Sequence, residues 1–90
     1  MTKICKYASA GTLESSDAYV EIEPGEEKLE ISLESVVEQQ FGDVIRQTVL
    51  EVLKEQGVER AVVRVVDRGA LECVIRARVE TAVLRGKGEA

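Results

Sequence analysis

The chain has no histidine and no tryptophan, and only one phenylalanine, one proline and two cysteines among its 90 residues. Without histidine the commonest general base near neutral pH is missing, and no Ser-His-Asp or Cys-His arrangement can be built within the chain. Carboxylates and lysines remain, but their spacing singles out no acid/base pair, so no catalytic residue is expected. Mixed Cys/His zinc sites are excluded too, and Cys5 and Cys73 are too distant in sequence to form a ligand cluster, so no metal is expected. Those two thiols read as reduced and unpaired. No apolar run reaches signal-peptide or membrane-spanning length, which makes the cytoplasm the expected compartment and excludes a membrane as partner.

What is present is acidic and aliphatic. Seventeen Asp and Glu against twelve Lys and Arg give a net charge of −5, which repels a nucleic-acid backbone and favours basic protein partners. A hydrophobic content of 44% with 32% charged residues is globular. The length suits a single domain over residues 1–90, with 1–7 and 86–90 expected to fray and little volume for an internal cavity.

The apolar pattern changes period twice. Residues 8–14 read as a short strand. Tyr19-Val20-Glu21-Ile22-Glu23 and Lys28-Leu29-Glu30-Ile31-Ser32-Leu33-Glu34 alternate with period two, and Pro24-Gly25-Glu26-Glu27 between them has turn chemistry, so an antiparallel arrangement is expected. Ser35-Val36-Val37-Glu38 fits a capping box. After it Val37, Phe41, Val44, Ile45, Thr48, Val49, Val52 and Leu53 recur at spacings of three and four, ahead of a C′ glycine at Gly57. The spacing predicts a helix over 36–56 that buries Phe41 and Ile45. Residues 60–67 read as a strand with Ala61, Val63 and Val65 on one face, closed by the turn Asp67-Arg68-Gly69. Leu71, Cys73, Ile75, Ala77 and Val79 then alternate, which predicts a strand over 72–79 and a short helix over 80–85; a single helix over 71–85 is the alternative. The architecture expected is a two-layer α+β domain, a small antiparallel sheet of four to five strands packed on one long helix, with a short C-terminal helix. Glu21, Glu30, Arg64, Arg76 and Arg78 are expected on the uncovered sheet face.

Between the first two strands, Gly11-Thr12-Leu13-Glu14-Ser15-Ser16-Asp17 places two hydroxyls between two carboxylates. Locally it is a hairpin tip, because short polar side chains bond their own backbone and glycine tolerates positive φ. The segment Gly11 to Ser15 resembles the attachment segment of the citrate lyase acyl carrier protein (gamma chain). Residues 37–46, Val-Glu-Gln-Gln-Phe-Gly-Asp-Val-Ile-Arg, and residues 66–78, Val-Asp-Arg-Gly-Ala-Leu-Glu-Cys-Val-Ile-Arg-Ala-Arg, resemble two further stretches of that family in the same order. The resemblance implies a non-catalytic carrier subunit, a phosphoprotein in which Ser15 holds a phosphoribosyl-dephospho-CoA arm through a phosphodiester. Glu14, Ser16 and Asp17 would shape or mark the loop. It further implies partners: an alpha chain that exchanges the acetyl group of the arm for citrate, and a beta chain that cleaves the citryl thioester to oxaloacetate. A transferase attaches the arm and a ligase acetylates it. The carrier of malonate decarboxylase and an unmodified protein-interaction domain are the alternatives. Ordinary four-helix acyl carriers place their serine in an Asp-Ser-Leu segment at a helix start, which is absent here.

Overall fold

In a computed structural model, which describes residues 2–88 apart from the Glu38 side chain, the alternating segments form strands β1 (Ala8–Gly11), β2 (Ala18–Pro24), β3 (Leu29–Ser35) and β4 (Ala61–Asp67). The helices are α1 (Glu38–Glu55) and α2 (Glu72–Gly86). The architecture is α+β, as the periodicity predicts, with sheet order β1-β2-β4-β3. β2 and β3 do not form the hairpin that Pro24-Gly25 suggests. β4 lies between them, antiparallel to β2 and parallel to β3. The cause is α1, a crossover that returns the chain to the end of the sheet where β3 began, so that β4 must run in the same direction as β3.

Alternation sets the covered face. Ala10, Val20, Ile22, Val63 and Val65 are buried under the two helices, whereas Tyr19, Glu21 and Arg64 face outward. On that outer face Tyr7 donates a hydrogen bond to Glu21, and Arg64 lies 3.5 Å from the same carboxylate.

Residues 72–79 are not a strand. They open α2, so the single-helix alternative is the correct one. The deciding residues are Ile75, Val79, Ala82, Val83 and Gly86, all buried at spacings of four, three, one and three, while Leu71, Cys73 and Ala77 are exposed. Alternation over nine residues fits either period, and burial follows the helical one because α2 must cover β1 and β2. Arg76 and Arg78 therefore leave the sheet's outer face. Arg76 bridges to Glu55 (2.7 Å) and Glu51 (3.4 Å) on α1.

The start of α1 also differs. Val37 takes the N-cap position without a side-chain cap bond, and the Ser35 hydroxyl accepts from the Val37 amide at 3.1 Å instead. The Glu38 half of the capping box lies outside the described residues. The other end matches expectation: Gly57 has φ +75°, with Gly57 N donating to Lys54 O and Val58 N to Leu53 O, the two bonds of a Schellman motif. The segment expected to fray at the N-terminus is held over Thr2–Lys6. Ile4 is buried, Thr2 N donates to Gly57 O, and the Cys5 and Lys6 amides share Gly86 O. Cys5 and Cys73 are free and exposed. No helix among the described residues is long and apolar enough to cross a membrane.

Ile45, Val49, Val52 and Leu53 are buried as the stripe predicts, but Phe41 is 50% exposed. It lines an open groove of about 160 Å³ with Val44, Ala70, Glu72 and Ile75, where α2 has only begun to cover α1. Phe41→Ala is therefore expected to cost about 1 kcal/mol, far less than a buried phenylalanine. A urea titration showing a loss above about 3 kcal/mol would contradict this placement.

Candidate functional site

Three connections meet at one end of the sheet: the β1–β2 loop with Ser15, the β3–α1 junction and the β4–α2 loop. Register brings them together, since Ala18 and Ser35 both stand opposite Asp67, from either side of β4. Gly11 ends β1 at φ +94°, and a Cβ there would lie 1.8 Å from Ala18 O, so only glycine lets the two strands close beneath the loop.

Glu14–Asp17 forms a turn closed by Asp17 N donating to Glu14 O at 3.1 Å. Positive φ falls on Ser16 (+67°) and not on Ser15, the pattern of a type II turn. Ser15 thus occupies the outer corner, exposed, with no side-chain hydrogen bond to the described residues. Ser16 is turned toward the β4–α2 loop: its amide donates to Arg68 O (2.8 Å), and Arg68 N donates to Asp17 O (2.9 Å).

Asp17 anchors the loop. Its carboxylate accepts two bonds from the Arg78 guanidinium (3.0 and 3.1 Å), one from the Thr12 hydroxyl (2.6 Å) and one from the Ala18 amide (2.7 Å). Arg78, followed by Thr12 and then the Ala18 amide, holds the Asp17 carboxyl well below its ordinary value near 3.8. A depressed folded-state pKa means that the stability contributed is complete above that ordinary value and is lost as pH falls toward the lower one. The stability difference between the native chain and Asp17→Asn should accordingly hold constant at neutral pH and shrink below about pH 4. Chemical denaturation at stepped pH checks this, and a difference that grows on acidification would refute it.

Asp67 organises the other side, where the sequence made it only the first residue of a tight turn. It is 1% exposed, and its carboxyl accepts from Gly69 N (3.2 Å), Ala70 N (2.9 Å) and the Ser35 hydroxyl (2.8 Å). One side chain thus ties the β4–α2 loop, which holds Ser16, to the start of the α1 crossover. Its parity with Ala61, Val63 and Val65 was the available signal, because it places Asp67 on the inward face. Glu14 stays exposed at the tip and makes no side-chain bond to the described residues, so of the two flanking carboxylates only Asp17 is built into the loop.

This arrangement contains no nucleophile paired with a base. It presents two exposed hydroxyls, neither bonded to the described residues, on a loop pinned from below; Ser15 stands at the outer corner, whereas the Ser16 backbone is bonded to the β4–α2 loop, and such a corner is suited to carrying a group. These residues fit a phosphodiester-linked group on Ser15. The hydroxyl is free and outward, the nearer structural carboxylate is already neutralised by Arg78, and the Arg68 guanidinium is uncommitted among the described residues. Unlike a serine at a helix start, it owes nothing to helix amides.

Sequence comparison agrees with the resemblance. The family model described as "Malonate decarboxylase delta subunit (MdcD)" matches residues 5–86. Citrate lyase acyl carrier protein 2 of Salmonella typhimurium is 57% identical over 84 residues, covering 92% of this chain and 87% of its own. Citrate lyase acyl carrier protein of Vibrio cholerae is 56% identical over 84 residues, covering 92% and 86%. The fold is similar to a chain of the Pseudomonas malonate decarboxylase hetero-tetramer, with TM-score 0.75 at 22% identity over 93% of this chain and 87% of that one. With most of its length matched at this level of identity, the chain belongs to the citrate lyase acyl carrier protein family.

Proposed function

We propose that this carrier holds acetyl and citryl groups as thioesters during the cleavage of citrate to acetate and oxaloacetate, on a phosphoribosyl-dephospho-CoA arm joined to Ser15 through a phosphodiester. The arm would supply a terminal thiol at the end of a long tether. The chain's own part is to hold the attachment point outward on a fixed base. The observation that carries this reading is the Ser15 hydroxyl, exposed and unbonded at the corner of a turn whose backbone is held on either side, by Ser16 N to Arg68 O and by Asp17 N to Glu14 O. A serine within a strand could enter a partner's cleft only by unpairing the sheet, whereas Ser15 enters without disturbing a ladder bond.

The chemistry belongs to the alpha and beta chains, loading to the transferase and acetylation to the ligase. Tethering presents the acyl group to both partner sites at roughly millimolar effective concentration, provided the arm spans them. Exposed Leu13, Val36 and Leu71 on the three connections around Ser15 offer apolar surface for such partners to cover.

Intact mass and tandem mass spectrometry on chain produced with its transferase test the assignment. The added mass should map to Ser15; a modification on Ser16, or none, overturns it. The similarity to the malonate decarboxylase chain favours a second reading, the same arm serving that decarboxylase. Pull-down from a host containing both complexes separates the two.

A further inference from the structure

Most arginines of the chain are committed within the fold. Arg78 gives two bonds to Asp17, and Arg76 is held by Glu51 and Glu55. Arg46 donates to Ile31 O, Arg85 to Ser9 O, and Arg64 pairs with Glu21. Arg60 and Lys28 lie beside Ala61, at the opposite end of the sheet from Ser15. Arg68 is different. Its backbone is bonded on both sides to the Ser15 loop, through Ser16 N to Arg68 O and Arg68 N to Asp17 O, yet its exposed guanidinium makes no bond to the described residues.

Resting on the Ser15 attachment, we propose that Arg68 is the counter-charge of the arm, its guanidinium donating to the unesterified oxygens of the phosphate on Ser15. A phosphodiester there is an anion next to the exposed Glu14, and the charge of Arg78 is already matched by Asp17, whereas that of Arg68 is matched by no bonded partner among the described residues. The planar fork of a guanidinium matches two phosphate oxygens, and Arg68 is fixed one residue from the attachment point by backbone bonds that its side chain does not share. An exposed pair of this kind adds little to fold stability. Its effect is on the arm: it holds the first bonds of the tether in one direction and screens Glu14. Arg68→Lys would keep the charge and lose the fork, whereas Arg68→Ala would lose both.

The test is NMR on chain loaded by its transferase, with mass spectrometry first establishing the site. On loading, the Arg68 Nε–Hε resonance should move more than that of any other arginine and return toward its unloaded position at high salt, as a screened ion pair requires. The phosphorus resonance of the diester should shift in Arg68→Ala and be partly restored in Arg68→Lys. Unloaded Arg68→Ala should match the native amide spectrum outside the two bonded loops, which separates this role from a structural one. A chain loaded at Ser15 whose Arg68 resonance is unmoved overturns the inference and leaves the attachment standing. Failure of the native chain to load at Ser15 overturns both. If Arg68→Ala does not load, the side-chain resonance of the loaded native chain decides.

Discussion

Ser15→Ala is expected to remove the entire prosthetic-group mass and all citrate cleavage by the reconstituted complex, while changing stability by less than about 0.5 kcal/mol. The two halves of that expectation have one origin. Ser15 Oγ is exposed and bonded to none of the described residues, so the fold does not miss it, and no base among the described residues is bonded to it to give the hydroxyl another use. The informative control is Ser16→Gly rather than Ser16→Ala. At φ +67° glycine carries no Cβ penalty, so the loop keeps its shape and loading should persist. A Ser15→Ala chain that still supports full cleavage defeats the assignment, whatever its stability.

Asp67→Ala should be the most damaging substitution to the fold around the site, at about 2–4 kcal/mol. It strands the Gly69 and Ala70 amides and the Ser35 hydroxyl, three donors that now converge on one buried carboxyl. Gly69 is exposed and Ala70 and Ser35 are half-buried, so water replaces part of each lost bond, and each donor deprived of the carboxyl costs about 0.5–1.5 kcal/mol. Against a typical total of about 5–15 kcal/mol, such a loss could leave much of the chain unfolded. Asp67→Asn keeps an oxygen for the two amides, and the serine hydroxyl can rotate to accept from the new NH₂ group, so about 1–2 kcal/mol is expected. A urea titration of both variants tests the ranking, and an alanine variant within about 1 kcal/mol of native would show that the three bonds are dispensable.

Local patterns were legible where one period ran long enough to exclude the other. The strands at Ala18–Pro24, Leu29–Ser35 and Ala61–Asp67 and the C-terminal stop at Gly57 follow directly from alternation and turn chemistry. Residues 71–79 failed because their alternation satisfies both periods, and only Ala82, Val83 and Gly86 beyond the window break the tie. Phe41 failed for a different reason: a helical stripe states which side of α1 is apolar, not how far its neighbour extends to cover it. At the site, the turn and the exposure of Ser15 could be read locally. The Arg78 clasp on Asp17 could not, because it joins positions 61 residues apart and depends on α2 being a helix. Asp17 was accordingly read as a loop or recognition residue, and the structure makes it the fastening of the loop.

The insertion of β4 between β2 and β3 dictates what the chain can do while it is being made. β4 is the last strand to be synthesised, yet it is the only one bonded to both β2 and β3. Until Ala61–Asp67 has left the ribosome, β2 keeps an open edge on one side and β3 has no strand partner at all. The nascent chain therefore cannot settle from its N-terminus forward. It must hold two unsatisfied strand edges, the kind that template aggregation, through the whole of α1. A stop anywhere before Ala61 would release a fragment unable to close its sheet, and the Ser15 loop would lack Arg68 and Arg78, the residues that hold its base. The Ser15 loop thus takes its shape only when the chain is nearly complete, so truncated chains would lack the folded loop altogether.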